Sequence, residues 1–484
     1  MRERWGSRLA FIMASLGCAV GLGNIWRFPY MCYTNGGGAF LIPYFIALLT
    51  AGIPLMILEF AVGRKTQGSP PLAYYKVNPK TEWLGWFANF GVMLIFFYYP
   101  VIMAWCLDYL FYSIKLQWGA DPENFFNWSF LRKTHPLILG GLRPQVFIAL
   151  IISWGLIYLS LFKGIKRLGQ IVTYLMVVMW ILITIMVIRG LTLRGSIEGL
   201  KFYLTPRFSV LKDPKVWLAA YGQIFFTLSL AMGSMIVYSS YLPERSDITN
   251  NAFIVSLGNC GFSFFAGFAV FSTLGYLATL RGCEVKDVVS GGFGLAFVTY
   301  PSAISKLPFG APVFGVLFFL LLFIAGLTSA VSQVEPFTAG FSDRFGYNKN
   351  KVLALACGSA FLIASAVFSR QGGFYWLDII DYFVCFFVIT LVGLIECIVI
   401  GYVSKPSEWR KYINEVSEIK IGVWWDICIK IITPVILGVL FILQVINTIK
   451  NGYGGYPSSC LWVGFGVVCA ILIASFLLMR VRRA

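Results

Sequence analysis

The sequence predicts an all-α polytopic membrane protein with twelve transmembrane helices. Three observations carry the prediction. Of the 484 residues, 58% are hydrophobic and 12% are charged, whereas a soluble domain is about half apolar and a quarter charged. The apolar residues fall in runs of about 20 residues, the length that crosses a bilayer as a helix. The alternation of a transmembrane barrel is absent, and only helices or closed barrels satisfy the backbone in lipid. A soluble globule of this composition would expose large apolar patches, and a disordered chain needs the opposite composition.

In order, the runs are 9–33, 39–62, 84–114, 145–162, 168–189, 216–241, 251–279, 312–341, 352–368, 376–402, 425–447 and 460–479. The first follows MRERWGSR with no A-x-A-like cleavage site, which predicts a retained span rather than a cleaved signal peptide. Polar connections are expected at 115–144, 190–215, 280–311 and 403–424. The chain reads as a single transmembrane domain, 1–484.

The net charge of +17 comes from 38 Lys and Arg against 21 Asp and Glu. No basic stripe with interleaved aromatics accompanies it, so nucleic acid is not a predicted partner. Topology and anionic lipid account for such charge between apolar spans. An even number of spans puts both termini on one side. With the N-terminus cytoplasmic, 22 Lys and Arg fall in inner segments and 15 in outer ones, with Arg27 inside a span. The expectation is a multi-pass protein of the plasma membrane with both termini cytoplasmic and Arg480, Arg482 and Arg483 as an inner anchor. The 11 cysteines are scattered singly and read as small buried hydrophobes. The one histidine, His135, lies in a polar stretch, which argues against a zinc site or a Ser-His-Asp triad. With no zincin motif or positioned nucleophile–base pair, no enzyme is predicted. Asn127-Trp128-Ser129 matches a glycosylation sequon in an outer loop, a triplet that also arises by chance.

Two spans carry small and polar residues at mid-depth. The first reads Gly17-Cys18-Ala19-Val20-Gly21-Leu22-Gly23-Asn24, with Phe28-Pro29 beyond. The sixth reads Gln223-Ile224-Phe225-Phe226-Thr227-Leu228-Ser229-Leu230-Ala231-Met232-Gly233-Ser234. A helix break at bilayer depth is tolerated only beside protein or a cavity. It frees half-helix N-termini for anions and loose carbonyls for cations. Glycines of this kind also serve close helix packing, but packing glycines need no company such as Asn24, Thr227 and Ser229. Interruptions in spans one and six match two five-span halves, the sequence pointer to a secondary-transporter site. Asn259 and Ala325-Gly326-Leu327-Thr328-Ser329 add uncharged dipoles in spans seven and eight. A mid-helix hydroxyl more often bonds its own helix. The buried acids Glu59, Glu335, Asp381 and Glu396 are rarer in lipid and functional by default.

The run Ala19-Val20-Gly21-Leu22-Gly23-Asn24-Ile25-Trp26-Arg27-Phe28-Pro29-Tyr30 resembles the signature of the neurotransmitter:sodium symporter family. Asn35-Gly36-Gly37-Gly38-Ala39-Phe40, Gly52-Ile53-Pro54, Gln223–Ser229 and Ala325–Ser329 resemble its other signatures, and the resemblance covers essentially the whole chain. It implies the bacterial leucine-transporter fold: two inverted five-helix repeats, broken helices 1 and 6, and two extra helices. The implied division is 1–245 for the first half, which takes in repeat unit one and the start of unit two. The second repeat unit is then 216–402, and 403–484 holds the two additional helices.

By the same resemblance, one sodium sits with Ala19, Asn24, Thr227, Asn259 and the substrate carboxylate. A second sits with Gly17, Val20, Ala325, Thr328 and Ser329. The implied substrate site comprises Cys18, Ala19, Gly21, Leu22, Gly23, Ile95, Tyr99, Phe226, Thr227, Ser229, Met232, Ser329 and Gln333. Monoamine carriers of the family have aspartate where Gly21 stands. Glycine there leaves room for the substrate's own carboxylate and implies a neutral α-amino acid. Two sodium ions and one carboxylate leave one positive charge over. Where some bacterial relatives carry an acid, this chain has Ser263. With Tyr44, Gln223, Thr227 and Asn259 it resembles the chloride site of chloride-dependent members.

Arg27 and Asp381 resemble an outer gate, and Arg2, Trp5 and Asp343 a cytoplasmic one. Glu59 and Glu396 are expected to accept hydrogen bonds from amides freed at the breaks. Two departures stand out. Tyr174 replaces the proline that many relatives place ten residues after the glycine matched by Gly164, which puts the usual unwinding of span five in doubt. The 115–144 connection lacks the cysteines of animal members, which implies a prokaryotic one. Sodium-coupled, chloride-dependent symport by alternating access is the expected function. The alternative is a membrane sensor that binds an amino acid without transporting it.

Overall fold

The computed structural model describes residues 3–289 and 291–481. Arg2, Arg482 and Arg483, named above for an inner gate and an inner anchor, lie outside them. Among the described residues the regular elements are helices, with three isolated β-bridges between connections. Ten are long and apolar enough to cross a membrane: Gly38–Thr66, Pro79–Ser113, Pro144–Leu161, Ile165–Leu191, Thr249–Arg281, Ala311–Phe345, Lys349–Phe368, Gly373–Val403, Val423–Asn451 and Ser458–Arg480. Each overlaps a run read from the sequence. Arg8–Ala19 and Leu22–Thr34, bent by 54° at their junction, make an eleventh. The remaining run, 216–241, folds as Pro214–Thr227 and Ser234–Ser240, with residues 228–233 between them non-helical. Neither piece is long enough to span alone.

Both interruptions have local causes. Ser7 opens the first helix by accepting from the Ala10 amide at 3.1 Å. That helix ends where Val20 and Gly21 turn extended. The chain re-enters helix at Leu22, and the Asn24 side chain accepts from the freed Gly21 amide at 2.9 Å. In the second interruption Ser229 (φ 52°), Ala231 (φ 60°) and Gly233 (φ 73°) take the left-handed region. A side chain there costs roughly 1–2 kcal/mol per residue, so neighbours must hold it. The Glu59 carboxylate accepts from the Ala231 amide at 2.7 Å, and the Ser229 hydroxyl donates to the Cys18 carbonyl at 3.0 Å. The second bond ties one interruption to the other.

Ala311–Phe345 and Glu82–Ser113 pack along each other at the centre of the bundle. The apolar window of Ala311–Phe345 is 78% buried, against 22% for Val423–Asn451 and Ser458–Arg480, which places the last two at the periphery. The polar connections are structured rather than open. In 280–311 the short helices Leu295–Thr299 and Tyr300–Ser305 carry Phe297 onto Phe126 (ring centroids 5.2 Å apart) and Tyr109 (5.0 Å). This aromatic plug closes the end of the bundle remote from the termini. Beside it Lys133 sits 3.5 Å from the centroid of the Phe374 ring, and burial pushes its ammonium down to about 8.

Candidate functional site

The two interruptions face each other across a cavity with about 70 Å³ of free space. Cys18, Ala19, Gly21, Leu22 and Gly23 line it from the first. Phe226, Thr227, Ser229 and Met232 line it from the second. Ile95 and Tyr99 come from Glu82–Ser113, and Ser329 and Gln333 from Ala311–Phe345. The fold thus gathers all the residues named for the substrate around one space. Asn24, Tyr98, Ser332, Asp381 and Cys385 complete the wall. Sequence reasoning missed Tyr98, Ser332 and Cys385. Helical spacing held the signal for two of them, because Ser332 lies three residues after Ser329 and Cys385 four after Asp381.

The wall has almost no free charge. Asn24, 1% exposed, donates to Asn259 Oδ1 at 2.8 Å and to Ser263 Oγ at 2.7 Å. Asn259 in turn donates to Thr227 Oγ1 at 3.2 Å. Three helical segments are joined in one chain of dipoles. On the other side the Ser329 hydroxyl lies 3.4 Å from the Gly17 carbonyl and 3.5 Å from that of Val20. Thr328, one residue earlier, bonds Ile324 and Ala325 of its own helix. A Cβ at Gly21 would sit 2.7 Å from Ser329 Oγ and 3.3 Å from the Tyr99 hydroxyl. The backbone comes this close only because position 21 lacks a side chain.

Behind the Asn24 amide lies a second polar group. Tyr44, Gln223, Asn259 and Ser263 are all buried. Tyr44 donates to Cys260 Sγ at 3.3 Å and Ser263 to the Asn259 carbonyl at 3.2 Å. Both amide atoms of Gln223 lack a partner among the described residues.

The expected outer pair is not joined. Arg27 lies over the Phe226 and Phe386 rings, 4.1 and 5.7 Å from their centroids, while Asp381 accepts from the Tyr98 hydroxyl at 2.5 Å. The rings and the phenol satisfy each charge separately. Of the two acids expected at the freed amides, Glu59 does accept one. Glu396 does not: it is buried beside Tyr74 and Glu59.

At the end bearing the termini, Trp5 donates its indole N–H to the Tyr238 carbonyl at 2.8 Å, and Asp343 accepts from the Ser69 amide at 2.8 Å. A further cluster there escaped sequence reading. Lys349 Nζ lies 2.7 Å from Glu335 Oε1 and 3.4 Å from Glu3 Oε2. The Glu3 carboxylate also accepts from the Ile165 amide at 2.8 Å, and Tyr241 donates to Glu335 at 2.5 Å. No local pattern links positions so far apart in the chain.

The profile of the sodium:neurotransmitter symporter family matches residues 2–129 and 119–484. The chain belongs to this family. An uncharacterized sodium-dependent transporter of Methanocaldococcus jannaschii is 44% identical over 483 residues, 99% of this chain and 98% of that protein. The sodium- and chloride-dependent taurine transporter of Rattus norvegicus is 32% identical, covering 99% of this chain and 85% of its own. The Mus musculus sodium- and chloride-dependent neutral and basic amino acid transporter B(0+) is 31% identical, covering 100% and 86%. As a sodium:neurotransmitter symporter the chain is a multi-pass membrane transporter of the sodium-coupled class, not an enzyme.

Proposed function

We propose that the protein carries a neutral α-amino acid together with sodium and chloride by alternating access. The chain would run twelve times through the plasma membrane, with inverted repeats and both termini cytoplasmic. The observation that carries the reading is the closeness of Ser329 and Tyr99 to Gly21. Position 21 carries no carboxylate, so the negative charge facing the first sodium has to arrive with the substrate. Leu22 and Gly23 amides at the start of a half-helix suit that carboxylate.

In this reading Ala19, Asn24, Thr227 and Asn259 hold the first sodium with the substrate. The second lies among Gly17, Val20, Ala325, Thr328 and Ser329. The 3.4 and 3.5 Å oxygen separations around Ser329 support it, because they match the edge of an octahedron with bonds of about 2.4 Å, usual for a hard cation of this size. Substrate and sodium complete each other's site, so each raises the other's affinity by the same factor. Sodium-driven uptake of labelled amino acids into proteoliposomes tests the reading. A protein that binds them with sodium but accumulates none would be a sensor.

Chloride enters through charge balance. The unpartnered Gln223 amide and the hydroxyls of Tyr44 and Ser263 offer donors without a carboxylate beside them. Replacing chloride by gluconate should cut uptake at least tenfold. In Ser263→Glu, uptake should no longer depend on chloride, because the fixed charge replaces the anion. Equal chloride dependence in parent and variant would reject this assignment.

The Glu335–Lys349–Glu3 cluster supports a closed cytoplasmic side, with Trp5 and Asp343 at the same end of the bundle, while Arg27 and Asp381 stand apart. Breaking a buried pair leaves an uncompensated charge and costs about 3–5 kcal/mol. Lys349→Met should therefore loosen the N-terminal segment, seen as a lower unfolding midpoint and faster proteolysis before Arg8. Unchanged cleavage would rule out the latch.

A further inference from the structure

One polar side chain in the cavity wall has no partner. Gln333, 7% exposed, lines the cavity from the helix Ala311–Phe345. Its Oε1 is enclosed and accepts no hydrogen bond, and its amide nitrogen makes none among the described residues. The neighbouring hydroxyls are directed elsewhere. Ser229 donates to the Cys18 carbonyl at 3.0 Å, Ser332 to the Ser329 carbonyl at 2.6 Å and Ser234 to the Ser332 carbonyl at 2.9 Å. An enclosed amide without a partner destabilises its protein, and an apolar residue of the same shape would remove the penalty. The arrangement is understandable where the ligand supplies the missing bond. A site built this way also rejects the analogue that lacks the group.

The free space sets the size of that ligand. A cavity of about 150 Å³ takes a molecule of benzene's size, so some 70 Å³ favours the smallest amino acids. Among the common ones, the smallest side chain with a strongly hydrogen-bonding group is that of serine. We infer that the substrate is a small hydroxyl-bearing α-amino acid, serine fitting best, whose side-chain hydroxyl bonds the Gln333 amide. This inference rests on the amino-acid reading above and adds the chemistry of its side-chain end. Gln333 acts here as the residue that separates serine from alanine, a molecule of nearly the same volume.

The test uses the full chain in proteoliposomes under an inward sodium gradient with chloride present. Labelled L-serine, L-alanine and L-leucine are compared by kcat/KM. Serine should exceed alanine about tenfold or more, with leucine slowest. In Gln333→Leu the serine-to-alanine ratio should fall at least tenfold. Alanine carried as well as serine by the parent protein overturns the inference and leaves amino-acid symport standing. So does a ratio that Gln333→Leu leaves unchanged. The parent comparison stands even where the variant fails to fold. If sodium drives none of the twenty amino acids, the amino-acid reading itself fails, and this inference with it.

Discussion

Gly21→Asp should abolish sodium-driven amino-acid uptake, by at least a hundredfold. The first atom of the new side chain would meet Ser329 Oγ at 2.7 Å. That hydroxyl has little room to retreat, with the carbonyls of Gly17, Cys18 and Val20 around it at 3.4–3.5 Å. Overpacking of this kind costs about 1–3 kcal/mol. The larger effect is electrostatic. The introduced carboxylate would stand where the substrate's carboxylate is proposed to lie, so an amino acid would bring a second negative charge against it. Sodium should fare differently, because the introduced charge can complete its first site. The variant is therefore expected to keep sodium-dependent thermal stabilisation and lose the extra stabilisation by amino acid. Uptake at the parent rate would show that the substrate carboxylate does not lie beside position 21.

Asn24→Ala should raise the sodium concentration for half-maximal uptake at least tenfold and lower the unfolding midpoint. The Asn24 side chain accepts from the Gly21 amide and donates to Asn259 and Ser263. Its removal leaves a buried donor and two acceptors to find new partners, at about 1–3 kcal/mol for each that fails. The first half of the effect belongs to the ion site and the second to the cap of the half-helix beginning at Leu22. A sodium titration of uptake separates them, since loss of stability alone lowers the active fraction without moving the midpoint. A midpoint within twofold of the parent value would remove Asn24 from the sodium site.

Much of this architecture is legible in the sequence, because a bilayer makes length and apolarity nearly sufficient to specify a helix. The run 145–162 folds as Pro144–Leu161, and 460–479 lies within Ser458–Arg480. The interruption in the first span is legible for another reason: Gly21 removes the side chain where the strands of backbone must approach Ser329. The sixth span is less direct. Gln223–Thr227 stay helical, and the break begins at Leu228, where Ser229 and Ala231 take the left-handed conformation as well as Gly233. Nothing local in those residues demands it. Glu59 and the Cys18 carbonyl, distant in the chain, hold the conformation in place. The connections follow the same rule. Leu295–Ser305 is too short to span, and its apolar face makes sense only against Phe126 and Tyr109.

The sequence by itself determined that the chain is a helical membrane protein, where its apolar runs lie, and which residues of six spans carry polar groups into the membrane. Those are properties of composition and local pattern, and a bilayer leaves few alternatives for them. The tertiary structure decided what pattern cannot encode. It set Arg27 on two aromatic rings instead of on Asp381, and it joined Glu3, Glu335 and Lys349 into one cluster. It left the Gln333 amide without a partner in a space of about 70 Å³. Each depends on distances between segments far apart in the chain, and such distances are fixed only when the helices pack.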